Sequence, residues 1–221
     1  MPRTNRKVSV ALASDAASPF AEAYRTLRVN IEFCSKTAPV RSIAVASPEA
    51  GDGRSTTALH LAVAYARSGK RVALVDADLR MPSLHAPLVG ERGPGLAEFL
   101  SNPNAVAFDV VRDTPVERLA FVPAGGPYPA PADGLGSPRF ERLLDELKHR
   151  FDVVVLDGPP MLGAVDAKLI AAKCDGVVLV VRRGALKREA ARKVASELEQ
   201  ANARLLGAVI NHGAGRGSRR L

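Results

Sequence analysis

Four apolar residues in a row, Ile43-Ala44-Val45-Ala46, lead straight into the stretch SPEAGDGRST, residues 47–56. Beyond it Leu59, Ala62, Val63 and Ala66 recur at spacings of three and four, the period of one helix face. A strand, a glycine-containing turn and a helix in that order constrain this chain more than any other feature. Such a turn points the first amides of the helix at one spot, where the helix dipole also favours negative charge. Gly51 and Gly53 let the backbone approach an anion with no Cβ in the way. Asp52 completes the turn, and Ser55, with Thr56 beside it, places a hydroxyl where it would ligate Mg²⁺ next to a bound phosphate. Arg54 stands where a phosphate-binding loop normally has lysine. Alone, the stretch also fits a glycine turn opening an ordinary helix.

Two further stretches narrow the choice. Val72-Ala73-Leu74-Val75 runs into Asp76-Ala77-Asp78, and Val153-Val154-Val155-Leu156 runs into Asp157-Gly158-Pro159. Carboxylates at the ends of buried strands are costly unless they face a cation. Placed after a phosphate-binding loop, Asp76, Asp78 and Asp157 have the arrangement that serves a metal and a transferring phosphoryl group.

Strands alternate with helical stretches along the chain, and the strands are nearly all apolar. That pattern predicts an α/β fold, a parallel sheet with helices on both faces. In order, the expected elements are a helix from Ser18-Pro19 to about Phe33 and the loop-and-helix unit 43–69, closed by Gly69. Next come the strand 72–75, an irregular stretch from 81 to 116 with a short helix near 96–100, and a strand at 119–122. The Pro/Gly-rich segment 123–136 is expected to be a loop, followed by a helix capped by Ser137-Pro138. The strand 152–157, a helix near 165–173, a strand 176–182, a helix 187–201 and a strand 205–210 close the domain, with Asn211 just beyond. Residues 1–17 are expected as a flexible basic arm, 18–211 as one domain, and 212–221 as a short flexible tail. Ligands bind at the carboxyl ends of the strands in such a sheet, and Arg54, Asp76, Asp78, Asp157 and Asn211 all fall there.

Composition excludes several classes. The 221 residues hold no apolar run long enough to span a bilayer, which takes about 18 or more. The N-terminus lacks the apolar core of a signal peptide. Cys34 and Cys174, the two cysteines, read as free thiols of a reducing cytoplasm. The net charge is +8, yet no aromatic residues interleave with the basic ones as a nucleic-acid platform would need, so no nucleic-acid partner is expected.

Taken together, these motifs resemble the bacterial tyrosine kinases of capsule and exopolysaccharide synthesis, the CpsD/CapB type, within the P-loop NTPases of MinD/ParA kind. The likeness runs from about Ser18 to Asn211. SPEAGDGRST matches the family's Walker A motif, VALVDADLRMPSLH its Walker A′ and VVVLDGPP its Walker B. In the segment AEAYRTLRVNIEF, Glu22, Arg25 and Arg28 match an ExxRxxR motif tied to ring-shaped self-association. The resemblance implies a three-layer sandwich, ATP as donor, Mg²⁺ as metal, tyrosine hydroxyls as acceptors and a membrane-anchored polysaccharide co-polymerase as activator. It further implies a cytoplasmic protein held peripherally at the inner face of the membrane by that partner. By the same likeness Ser55, Asp76, Asp78 and Asp157 serve the metal, Asp76 and Asp78 also meet the incoming hydroxyl, and Asn211 reads adenine.

Two departures bear on activity. Arg54 keeps the lysine's charge but carries it on a wider, planar fork, which is expected to slow transfer more than it weakens nucleotide binding. The family's C-terminal tyrosine cluster is missing: the tyrosines are Tyr24, Tyr65 and Tyr128, and Tyr128, in the Pro/Gly loop, is the expected acceptor of any self-phosphorylation. Two other functions fit some of these features. One is a catalytically weak nucleotide-binding regulator of polysaccharide assembly. The other is a positioning ATPase of the ParA/MinD kind, against which Glu49 stands where that group has its signature lysine.

Overall fold

The computed structural model describes residues 18–211, apart from 37 and 92, and not the side chain at 87. The arm expected at 1–17 and the tail expected at 212–221 lie outside the described residues. Helix α1 (Pro19–Cys34) starts as its sequence predicts: the Ser18 hydroxyl accepts from the Ala21 amide at 3.2 Å, and Pro19 occupies the first turn. Strand β1 (Ser42–Ala46), helix α2 (Arg54–Arg67) and strand β2 (Val72–Asp76) follow. Gly69 closes α2 with φ at +89°, a conformation that favours glycine.

The irregular stretch holds helix α3 (His85–Leu88), helix α4 (Leu96–Ser101), a 3-10 turn at Ala107–Val110, strand β3 (Arg112–Asp113) and strand β4 (Leu119–Val122). The Pro/Gly segment departs from expectation. Helix α5 (Pro131–Gly136) forms within it, ahead of helix α6 (Pro138–Arg150). Glu98 of α4 ties the segment down, accepting from the amides of Gly95 at 2.6 Å and Gly126 at 3.0 Å. Ser137 does not cap α6 with its side chain; its hydroxyl donates back to the Gly134 carbonyl at 2.6 Å. Strand β5 (Val153–Asp157), helix α7 (Asp166–Lys173), strand β6 (Gly176–Arg182), helix α8 (Arg188–Gln200) and strand β7 (Leu205–Asn211) complete the described chain.

The seven strands form one sheet in the order β3-β4-β2-β5-β1-β6-β7, parallel except for the β3–β4 pair. Every residue of β1, β2 and β5 is buried, which explains their unbroken apolar runs. Alternate side chains feed two cores. Ile43, Val45, Leu74 and Val155 face α1 and α2, whereas Ala44, Val75, Val154 and Leu156 face the layer of α4 to α8. Each fully buried aliphatic side chain contributes about 1.5–3 kcal/mol, so these strands outweigh the cost of carrying acidic residues at their ends.

Helix α2 buries 11 of its 14 residues, Leu59, Leu61, Ala62 and Tyr65 among them. A helix apolar on most of its faces needs cover on two sides; the sheet supplies one and α1 the other. Between the helices His60 stacks on Tyr24, ring centroids 4.8 Å apart, and meets the edge of Phe20 at 4.5 Å. Burial, and then the Arg67 charge, lower the His60 pKa to about 4. Below about pH 6.5 the unfolded chain therefore takes up a proton that the folded chain refuses. Stability is expected to fall as pH drops from about 6.5 towards 4. His60→Phe should flatten that slope in denaturant titrations at stepped pH, while an identical slope in the variant would show that another group carries it.

Candidate functional site

At the carboxyl end of the sheet three neighbouring strands, β2-β5-β1, deliver the predicted residues to one place. Register sets Asp76 directly opposite Asp157. Asp78 follows on the chain from β2, Ser47 leaves β1, and the turn 47–53 carries the backbone into α2. All three carboxylates are buried, with Asp76 at 0%, Asp157 at 1% and Asp78 at 4% exposure.

Their partners differ. One oxygen of Asp76 accepts from the Ser83 and Leu84 amides at 3.1 and 3.0 Å, while Oδ1 is buried with no hydrogen bond. Asp78 Oδ1 accepts from the Arg80 and Met81 amides at 3.3 and 2.9 Å. Asp157 Oδ2 is also buried without a partner. Burial, and then the charge of Asp157, push the Asp76 pKa above the usual carboxylate range. Burial raises Asp157 as well, against the pull of Arg54.

The Arg54 side chain lies among these acids. Its Nη2 donates to Asp78 and its Nε to Asp157, both at 3.0 Å, and its Nη1 donates to the Ser47 hydroxyl at 3.2 Å. From sequence the guanidinium was expected to face a phosphate; here it is turned onto the carboxylates. The backbone keeps the expected form. Gly51 and Gly53 have φ at +84° and +96°, and Gly53 caps α2. The Ser55 hydroxyl accepts from that of Ser83 at 3.2 Å, and Thr56, next on α2, is half-buried.

Asn211, at the end of β7, reaches the loop. Its Nδ2 donates to the Asp52 carbonyl at 3.0 Å, so the residue assigned to adenine by resemblance also braces the turn. Asp52 is buried and its carboxylate accepts from the Glu49 amide at 3.0 Å. Sequence reasoning missed the Ser83 and Leu84 amides that support Asp76 and the Ser47 hydroxyl that accepts from Arg54. For Ser47 a signal was available, since it is the first residue after β1.

Among the described residues no three His, Cys, Asp or Glu side chains close on a point as a ready-made metal cage. Mg²⁺ keeps several waters and is bound by one or two carboxylates plus phosphate oxygens. The unpartnered oxygens of Asp76 and Asp157 and the hydroxyl of Ser55 fit such an ion. Tyr128 is half-buried, with its ring against Gly134 of α5, rather than free in a loop. Tyr65 is buried in α2.

Residues 43–221 match the family described as the CobQ/CobB/MinD/ParA nucleotide binding domain. The tyrosine-protein kinase YwqD of Bacillus subtilis is 37% identical over 190 residues, covering 86% of this chain and 80% of that protein. The solved chimerical protein CapA2B2 superposes with a TM-score of 0.86 at 32% identity, over 92% of this chain and 89% of its own. The kinase domain of Escherichia coli tyrosine kinase ETK gives a TM-score of 0.86 at 25% identity, over 100% and 86%. The chain belongs to this nucleotide-binding family and, within it, to the bacterial tyrosine-protein kinases of the CpsD/CapB type.

A Cβ added at Gly53 would sit 1.9 Å from Asn211 Nδ2, on a backbone of positive φ. Gly53→Ala is therefore expected to destabilise the fold by about 1–2 kcal/mol and to weaken ADP binding at least tenfold, read by chemical denaturation and calorimetry. Full ADP affinity in that variant would show that the turn tolerates displacement of Asn211.

Proposed function

We propose that this chain is a protein-tyrosine kinase of capsular or exopolysaccharide synthesis that moves the γ-phosphoryl group of Mg²⁺-bound ATP to a tyrosine hydroxyl. The observation that carries the reading is the meeting of Asp76, Asp78 and Asp157 with the turn 51–56, with two buried carboxylate oxygens left open. The amides of 51–56 hold the β- and γ-phosphates, assisted by the α2 dipole. Ser55, Asp76 and Asp157 would hold a Mg²⁺ ion, which would supply charge neutralisation at the phosphates. Asp78, fixed by the Arg80 and Met81 amides, faces the acceptor with Asp76, and the two carboxylates are placed to orient the incoming hydroxyl and receive its proton. Asn211 closes the adenine side, and Arg54 supplies the positive charge of the loop.

A radiolabelled γ-phosphate assay with a tyrosine-containing polymer as acceptor tests this. Incorporation that requires Mg²⁺ and falls at least a hundredfold in Asp76→Ala is expected. Absence of transfer, in the presence and absence of a membrane activator, would refute it.

No helix among the described residues is long and apolar enough to cross a membrane. We propose that the chain works at the inner face of the membrane with a separate anchored co-polymerase that activates it, as its resemblance to the capsule and exopolysaccharide kinases implies.

Self-association is assigned to α1. Glu22 pairs with Arg25 at 2.7 Å and Arg28 with Glu32 at 2.7 Å, while Arg28 Nε is buried with no hydrogen bond. Beside them lies a groove of about 450 Å³ lined by Tyr24, Arg25, Arg28, Val63, Ala64 and Arg67, which we assign to contact with a second copy in a ring. Exposed pairs contribute only about 0.2–1 kcal/mol each, so the alanine variant at Glu22, Arg25 and Arg28 should stay folded. Light scattering is expected to shift that variant toward the monomer mass; an unchanged mass would remove α1 from the interface.

A further inference from the structure

The side chain of Arg54 has a role that the phosphate-binding loop alone does not predict. All three of its nitrogens are engaged: Nη2 on Asp78 and Nε on Asp157 at 3.0 Å each, Nη1 on the Ser47 hydroxyl at 3.2 Å. It is 9% exposed, and both acids are buried. These three partners leave three different strands, β1, β2 and β5. One planar fork therefore ties together the ends of the central part of the sheet. A lysine ammonium is a single point charge and cannot reach the three in one planar arrangement.

We propose that Arg54 is the built-in counter-ion of Asp78 and Asp157, a positioning residue that must release them before the metal-bound nucleotide can seat. The proposal rests on the nucleotide-binding reading above and adds to it a competition between two cations. Asp157 faces Arg54 with Oδ1, and its Oδ2 and Asp76 Oδ1 stay open. A dication drawn to those open oxygens would come within a few ångströms of the guanidinium. Two like charges there repel strongly because little water screens them. The phosphate cradle is different. It is made of backbone amides at the start of α2, and these keep their form while the Arg54 side chain lies on the acids. Phosphate binding alone therefore leaves the clasp intact, and only the metal opposes it. Whatever the clasp contributes to the nucleotide-free fold it takes from metal loading, because the coupling between two binding events is reciprocal.

Calorimetry of ADP binding to the full chain in EDTA and in MgCl₂ tests this, with the parent, Arg54→Lys and Ser47→Ala compared. Ser47→Ala removes one of the three bonds without touching an acid. The clasp predicts that Arg54→Lys enlarges the Mg²⁺-dependent gain in ADP affinity about fivefold or more, and that Ser47→Ala enlarges it less. ADP affinity in EDTA should stay within about twofold for Ser47→Ala. The nucleotide-free melting temperature of Arg54→Lys should fall, while its rise on adding MgCl₂ and ADP should be larger than the parent's. A Mg²⁺-dependent gain equal in all three proteins overturns the proposal and leaves the nucleotide-binding reading standing. A parent chain that binds no ADP in either buffer overturns both. Should Arg54→Lys not fold, Ser47→Ala decides by the same ratio.

Discussion

Three buried carboxylates and one guanidinium sit at the end of the sheet, and the rest of the molecule is arranged to hold them there. Left to themselves, acids in such a place would draw water in or take up protons. The apolar strands β1, β2 and β5 outweigh that cost, since they are buried along their whole length and anchor two cores, one on each face. Register then does what propensity cannot, setting Asp76 against Asp157. The backbone amides of Ser83 and Leu84 offset part of the charge on one acid, and Arg54 offsets part on the other two. What is left over, the two open oxygens, is the part of the site that accepts a cation from outside.

Much of this could be read from residue order, for a physical reason. Strands buried on both faces must be apolar throughout, so an aspartate at the end of such a run stands out, as Asp76 and Asp157 do. The cap at Ser18 and the stop at Gly69 follow local rules and appear where expected. Other features depend on neighbours distant in sequence. The prolines of 123–136 suggested a loop, yet Pro131 sits in the first turn of a helix, where a missing amide costs nothing. Glu98, from a different element, tethers that segment. Tyr128 was placed in an open loop, and it is Gly134, without a side chain, that lets its ring pack down. The direction of the Arg54 side chain could not have been read either, because a phosphate and a pair of acids attract it alike and only the fold sets their distances. Strand β7 looked as apolar as the others, but it lies at the sheet edge, so Leu205 and Ile210 are exposed.

The kinship with tyrosine-protein kinases rests on nearly the whole chain, whereas the chemistry depends on a handful of side chains. One fold hosts many functions, and the MinD/ParA superfamily shares this sheet. The local features at the strand ends therefore matter more to what this protein does than its outline. Among these Arg54 is the one that departs from the loop's usual chemistry.

The bond from Asn211 to the Asp52 carbonyl joins positions 159 residues apart. Strand β1, which carries the turn, also pairs only with β5 and β6, both from the second half of the chain. During synthesis from the N-terminus the turn 51–56 is made well before its bracing strand, since Asn211 follows Asp52 by 159 residues. Contacts of such long range form late and slowly. A nascent or prematurely ended chain that carries every loop residue would still lack the strand that fixes them. Nucleotide competence thus reports completion of the sheet, so a truncated product would not compete with the finished enzyme for its ligand.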